Sequence, residues 1–545
     1  MVEAVLNPFA SIDRGRFDSK NRLFNDYLIT PSSLKVYFRY LPDQIEKVMG
    51  ELPPTKLEIP GLMAYNKRLG APDPVLRNIE LLSKKDCLVI MSGQQPGLLL
   101  GPLFTIYKAI QTIKLACQFS SIYKVNFIPV FWSNSEDHDW DEVNHVYLMG
   151  GEDGVKEIGI ALKGNLQDLS LGRIPLKEVG VDEFLSRLED LFPKTDFKND
   201  CLRLIDDTRA DKESFSEWFS ALLLHLLGNY GLVLFDPIKC QINELSESIF
   251  RREIEDPLAT NRLLTEASDL LIKDGYKAQI HKKASRCNFF LEEEGLRNAL
   301  SFEGSLFKTL KRDYSQDELF KILKEEPDRF TLDVALHPIL ASLLFPVAVR
   351  IAGPSEASYY AQLKGIYAKY NLVMPVVIPR VSLGLMEAKI AHILTGYSIQ
   401  PWELKEEIEA IAGRLIREDE KLRIGEKFFQ AKEGVKGIID SLKTEVEEFS
   451  LEGTFNKVKG RVFHELNWLE GKATKEAKKR ETVLMARLKR AKETLFPKDL
   501  PQERVFNIFS FLVKYSINFI DWLYKAFPLD HTKYHYFSIE VRDES

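Results

Sequence analysis

The segment Phe131-Trp132-Ser133-Asn134-Ser135-Glu136-Asp137-His138-Asp139-Trp140-Asp141-Glu142-Val143-Asn144-His145 concentrates side chains that can do chemistry. Five carboxylates and two imidazoles stand between Glu136 and His145. Imidazole titrates near neutrality and suits proton transfer. Carboxylates hold ammonium groups or hard cations. His138, Asp139, Asp141 and His145 are therefore candidate catalytic residues, and Glu136, Asp137 and Asn144 candidate binding residues. If the chain is helical from Asp137 onward, Asp137, Asp141 and Asn144 share a face, as do His138, Asp141 and His145. The apolar run Phe127-Ile128-Pro129-Val130-Phe131 before them predicts a buried strand. Ligands bind at the carboxyl ends of strands in open α/β sheets. The competing explanation is a solvated helix start, where acids favour the positive end of the dipole.

A second group lies one predicted strand earlier. Ser92-Gly93-Gln94-Gln95-Pro96-Gly97-Leu98-Leu99-Leu100-Gly101-Pro102-Leu103 follows the apolar run Asp86-Cys87-Leu88-Val89-Ile90-Met91. Its three glycines let the backbone approach a ligand, and a following helix offers amide donors to an anion. A plain tight turn would also account for them. Gln94 and Gln95 are neutral, bifunctional hydrogen-bonders; with Ser92 and Gly93 they are candidate substrate-binding residues. No Gly-Lys-Ser/Thr follows, so this is not a P-loop. Gly353-Pro354-Ser355-Glu356 is a similar loop and adds Gly353, Ser355 and Glu356, with Ser355 alternatively a helix N-cap. Arg380 ends the run Val376-Val377-Ile378-Pro379 and could hold a carboxylate or phosphate through its fork. Lys282, Lys283 and Arg286 form a small basic cluster, most simply a solvated patch. His225, His337 and His392 stand singly on apolar faces and are expected in the core.

These loops need a scaffold. The first strand, a helix from Gly101 to Ser120 and the strand at Phe127 make a βαβ unit, normally right-handed. Residues 1 to about 80 are expected to be mostly helical. The alternation from Tyr276 to Phe302 predicts antiparallel strands, Val334 to Ile351 a long helix or helix plus strand, and Tyr359 to Tyr370 an amphipathic helix. Leu404, Ile408, Ile411 and Leu415 step by four, three and four, and Val435, Ile438, Leu442, Val446 and Phe449 by three, four, four and three. With charged flanks this predicts an antiparallel coiled-coil hairpin turning near Gly453, or else a compact helical bundle. The expected organisation is 1–150, first part of the core; 151–330, insertions with part of the core; 331–400, second part of the core; 401–500, helical coiled coil; and 501–545, a segment packing on the body.

At 545 residues the chain is too long for one ordinary core. Its net charge of −6 argues against broad nucleic-acid binding, and no apolar run is long enough for a membrane span. Five scattered cysteines without a C-x-x-C pair indicate neither a disulfide framework nor a zinc site. With no secretory signal pattern, a cytoplasmic protein is expected.

The Ser92-Gly93-Gln94-Gln95-Pro96-Gly97 segment with Gly101-Pro102, the Ser135 to Asp139 block with Asn144-His145, Gly353-Pro354-Ser355-Glu356, Met374-Pro375-Val376 with Pro379-Arg380, and Pro501-Gln502-Glu503-Arg504 together closely resemble one family. It is the bacillithiol biosynthesis cysteine-adding enzymes, also described as cysteine ligases. The resemblance implies an α/β fold with a Rossmann-like parallel-sheet core related to class I aminoacyl-tRNA synthetases, inserted connecting segments and a long helical coiled coil associated with homodimerisation. It also implies ligation of L-cysteine to the amine of glucosaminyl-malate. The synthetase His-x-Gly-His signature is absent, its place taken by Gly93-Gln94-Gln95-Pro96-Gly97, and no Lys-Met-Ser-Lys-Ser-like loop is present. A carboxylate does not react unaided with an amine at pH 7, so ATP, with ADP as product, and Mg2+ are the expected helpers. Two rival readings are a metal-dependent hydrolase built on Glu136 to His145 and a non-catalytic tRNA- or partner-binding protein.

Overall fold

The computed structural model describes residues 2–17, 21–84, 86–150, 154–164, 166, 169–240, 243–418, 424–445 and 451–543. The chain divides into two compact units, Met1–Leu385 with Leu500–Ser545, and Met386–Asp499. The strands in chain order are β1 (Val2–Asp13), β2 (Cys87–Gln94), β3 (Asn126–Ser133), β4 (His145–Met149), β5 (Val155–Gly159), β6 (Val233–Phe235), β7 (Arg286–Glu293), β8 (Leu296–Glu303), β9 (Leu306–Lys308), β10 (Asp313–Tyr314), β11 (Phe330–Leu332), β12 (Val347–Ala352), β13 (Val376–Pro379), β14 (Ser382–Glu387) and β15 (Lys533–Asp543).

The core of the first unit is a sheet in the order β13-β12-β2-β3-β6, parallel throughout. Numbered along the chain, these five strands run 3-2-1-4-5 from one edge, the order of the doubly wound Rossmann fold. The order reverses between β2 and β12, and a crevice opens at their carboxyl ends. Both strands are buried along most of their length, as near-continuous apolar sequence requires of a sheet covered on two faces. The helix Phe104–Tyr123 makes the crossover from β2 to β3 and ends at Lys124, which adopts a left-handed conformation at φ 57°. A second sheet, β10-β9-β8-β7-β11, is antiparallel and arises from the Tyr276 to Phe302 alternation.

Two expectations change and a third is resolved. Residues 1 to 80 are not wholly helical, because β1 pairs antiparallel with β15 from Val2↔Asp543 to Asp13↔Lys533. That pairing joins the two ends of the chain, so no local pattern announces it. The Tyr359 to Tyr370 helix is two, Pro354–Tyr360 and Lys364–Lys369. Val334 to Ile351 resolves into the helix His337–Leu344 followed by β12.

In the second unit the helices Ile424–Glu445 and Glu452–Leu495 form an antiparallel hairpin. Lys443 to Glu452 at 2.7 Å, Lys459 to Asp440 at 3.3 Å and a Lys432–Glu470 pair set its register. Val446 and Phe449 of the expected heptads lie outside the described residues. Leu484, Leu488, Ala491 and Leu495 are buried near the base, as are Leu404 and Ile411 of the same unit. Farther out, Phe429, Ile438, Leu442, Trp468 and Leu469 are exposed, Phe429 by 66% and Trp468 by 57%. Among the described residues no helix is long and apolar enough to cross a membrane.

Candidate active site

The crevice is built from the end of β2. Ser92 is buried and its hydroxyl accepts a 2.7 Å hydrogen bond from Thr112. Gly93 sits where no side chain fits: a Cβ would lie 2.6 Å from the Trp132 carbonyl oxygen and 3.4 Å from an Arg350 nitrogen. Close approach of β3 and β12, rather than a turn, demands glycine here. Lys108, buried on the crossover helix, donates to the Gly93 carbonyl at 2.9 Å, to Gln94 Oε1 at 3.1 Å and to the Glu356 carboxylate. Glu356 also accepts from the Gly353 amide at 2.8 Å and lies 3.9 Å from Arg350 Nη2. Burial alone would raise the Glu356 carboxyl, but Lys108 and Arg350 outweigh it and hold the group below its ordinary value. Burial pulls the Lys108 ammonium down, with Glu356 opposing. Ser92, Gly93, Gln94, Gly353 and Glu356 thus converge at the switch point. Ser355 is exposed and is not the N-cap, a place taken by Gly353.

Lys108→Met should cost about 3–5 kcal/mol, since it strands a carboxylate whose remaining cation is distant. Denaturant unfolding measures this; a loss below about 1 kcal/mol would mean that water solvates Glu356 adequately.

The acidic block is not a helix from Asp137. Only Trp140–Val143 is helical, and β4 begins at His145, so the expected shared faces do not form. A turn instead spreads the block. Ser135 donates to buried Asp236, whose carboxyl burial pushes up to about 6 against hydrogen bonds from Ser135, Ser216 and the Ile238 amide. Glu136 is 7% exposed, and its Oε2 lies 2.8 Å from His337 Nε2. Asp137 accepts from Gln95 Nε2 at 2.6 Å, joining the two sequence motifs. His138 Nδ1 lies 3.3 Å from Arg297 Nη1. Asp139 caps the short helix by accepting from the Glu142 amide at 3.2 Å. Asp141 accepts from Asn144 at 3.5 Å, and Asn144 Oδ1 is 3.0 Å from His145 Nδ1. Asp139 and Asp141 are exposed, and Asn144 and His145 half-buried.

Above the crevice lies a cavity of about 710 Å³, walled by the ends of β3 and β12, by β7 and β8, and by the helix His337–Leu344. Asp137 lines it; Asp139, Asp141, Asn144 and His145 do not. Its cations are Lys282, Lys283, Arg286, Arg297 and Arg350. The basic cluster is therefore cavity wall rather than solvated patch. Lys282 donates to Asn288 at 2.6 Å and pairs with Asp333. Burial pushes its ammonium down to about 7, with Glu253 opposing. Arg297 stacks 3.8 Å over Phe290 and donates to Thr331 Oγ1 at 2.8 Å and the Leu332 carbonyl at 2.7 Å. Arg350 Nε and Trp132 Nε1 are buried donors with no hydrogen-bond partner among the described residues.

Two expectations are corrected. Arg380 is not among the residues lining this cavity: it is 3% exposed, donates to Glu503 at 3.1 Å and packs 5.2 Å from the Phe104 ring. Its fork is spent on an internal carboxylate. His225 and His392 are exposed, and His337 lines the cavity, so none of the three is a core histidine.

Lys108, Arg297, His337 and Arg350 escaped the sequence reading. Lys108 and Arg350 did leave a signal, as lone cations inside apolar runs, Ile106-Tyr107-Lys108-Ala109-Ile110 and Val347-Ala348-Val349-Arg350-Ile351. A buried cation needs a partner or a ligand. At pH 7.5 Lys282, largely neutral, should react with cyanate roughly 10- to 100-fold faster than surface lysines near the ordinary value of about 10.4. Peptide mass spectrometry reads this; labelling no faster than the surface lysines would contradict the lowered value.

A doubly wound parallel sheet with a cation-lined cavity at its carboxyl edge, carried with a helical hairpin, defines a Rossmann-like domain joined to a coiled-coil domain. Residues 11–381 match the family described as "Bacillithiol biosynthesis BshC, N-terminal Rossmann-like domain", and residues 384–538 its "C-terminal coiled-coil domain". The chain belongs to the bacillithiol biosynthesis BshC family. Proteins named "Putative cysteine ligase BshC" are 30% identical in Desulforamulus reducens, over 91% of this chain and 94% of that protein, and 29% in Natranaerobius thermophilus, over 95% and 97%. The Salinibacter ruber protein of that name is 29% identical over 86% of each chain. A solved Campylobacter jejuni chain titled as a putative arginyl-tRNA synthetase superposes with a TM-score of 0.21 at 10% identity, covering 80% of this chain and 99% of that one, too loosely to bear on the fold.

Proposed function

We propose that this chain is an amide ligase that completes bacillithiol by joining the carboxyl of L-cysteine to the amine of glucosaminyl-malate. The observation that carries the reading is the cavity: five Lys and Arg side chains on its wall and two buried donors, Arg350 Nε and Trp132 Nε1, without acceptors among the described residues. Malate brings two carboxylates, which such donors pair with strongly. Asp137 and Asp333, on the same wall, suit an ammonium group. The ligase names of the relatives support the same reaction.

A nucleoside triphosphate supplies the leaving group that makes the cysteine carboxyl reactive. The chain's residues fit its phosphates, since Lys283, Arg286 and Arg350 all line the cavity. Mg2+ would accompany the triphosphate as its counter-charge. We further propose a homodimer formed through the exposed seam of the hairpin.

The test is to incubate the purified chain with L-cysteine, glucosaminyl-malate, ATP and Mg2+ and follow the mass of bacillithiol. Product that requires both substrates and ATP is the expected result. ATP-independent loss of a substrate group without amide formation would point to a hydrolase.

A further inference from the structure

Two imidazoles, His281 and His337, line the cavity. His138 is not part of that lining; its Nδ1 lies 3.3 Å from Arg297 Nη1 and 3.7 Å from Asp137 Oδ1.

His337 faces a buried carboxylate. Its Nε2 lies 2.8 Å from Glu136 Oε2, too obliquely for a full hydrogen bond, and neither atom has another hydrogen-bond partner among the described residues. A carboxylate beside Nε2 favours the proton there and leaves the lone pair on Nδ1. No hydrogen bond to Nδ1 is present among the described residues. Asp333 fixes the turn that delivers the ring: its carboxylate accepts from the Ala335 and Leu336 amides at 3.0 and 3.2 Å, and its carbonyl accepts from the His337 amide at 3.1 Å. Glu136 also forms part of the wall of a second cavity, of about 740 Å³. The His337–Glu136 pair therefore stands in the partition between two cavities.

We propose that His337, oriented by Glu136, is the group that takes the proton from the attacking amine. This rests on the ligase reading. The glucosamine nitrogen forms a bond to the activated cysteine carboxyl carbon, and the bond from that carbon to its leaving group, supplied by a nucleoside triphosphate, breaks with its electron pair. The proton released by the amine goes to His337 Nδ1. The Nε2 proton then faces Glu136, from which it reaches water through the second cavity. The charged groups lining the first cavity with His337 are Asp137, Lys282, Lys283, Arg286, Arg297, Glu303, Asp333 and Arg350, and Glu136 faces the ring from the other side.

The experiment compares the full chain with His337→Asn, His337→Ala, Glu136→Gln and His138→Gln in steady-state bacillithiol formation. His337→Asn is expected to lower kcat by about 10²–10⁴-fold, with KM for glucosaminyl-malate within about threefold. Added imidazole should restore a measurable part of kcat to His337→Ala but none to Glu136→Gln. Added imidazole should not raise kcat of His138→Gln, since the His138 ring does not line the cavity. An active wild type with His337→Asn within threefold of its kcat would overturn the assignment, as would a His337→Ala enzyme that melts normally yet is not rescued. Absence of product from the wild type would instead overturn the ligase reading beneath it.

Discussion

Arg350→Met is expected to lower kcat/KM for glucosaminyl-malate by about a thousandfold, roughly 4 kcal/mol of lost binding in the transition state. Arg350 is buried on β12 beside Gly93, at the switch point, and its Nε has no partner among the described residues. Hydrogen bonds to charged groups contribute about 1.5–3 kcal/mol each, so two lost contacts account for the effect. Glu356 keeps Lys108 in the variant, and the fold should persist. Steady-state kinetics together with a melting curve separate the two outcomes. A kcat/KM within threefold of wild type would mean that the Arg350 guanidinium does not meet substrate.

Ile438→Glu combined with Leu442→Glu is expected to convert a dimer into monomers. Both side chains are exposed on the hairpin, with Phe429, Trp468 and Leu469 also uncovered. Soluble chains rarely leave large apolar side chains grouped in this way, and a second copy would cover them symmetrically. The ion pairs across the hairpin are largely exposed and contribute under about 1 kcal/mol each, so apolar packing should dominate. Light scattering at micromolar concentration measures the mass. A wild-type mass near one 62.6 kDa chain would remove the dimer altogether.

The parallel core was legible because its strands are short, apolar and closed by Gly or Pro, a signal that burial on both faces imposes locally. The hairpin was legible from its heptads. The strand β1 was not, since its partner stands at the far end of the chain. The site was half legible. Asp137 lines the cavity, and Gln94 and Gln95, at the end of β2, bond to Lys108 and Asp137, because residues at strand ends follow the sheet. The helical faces from Asp137 failed because the Ser135–Asp236 and Glu136–His337 contacts hold the chain in a turn. Arg380 misled because only tertiary structure could place Glu503 against it. His337 was passed over because a lone imidazole in an apolar run gives no sign of a carboxylate two hundred residues away.

The measurement closest to the central claim is a crystal structure of the chain with glucosaminyl-malate bound. The malate carboxylates are expected at about 2.7–3.2 Å from two or more of Lys282, Arg286 and Arg350, with the glucosamine nitrogen beside His337. Ligand density elsewhere on the chain, with the 710 Å³ cavity left to water, would contradict the account.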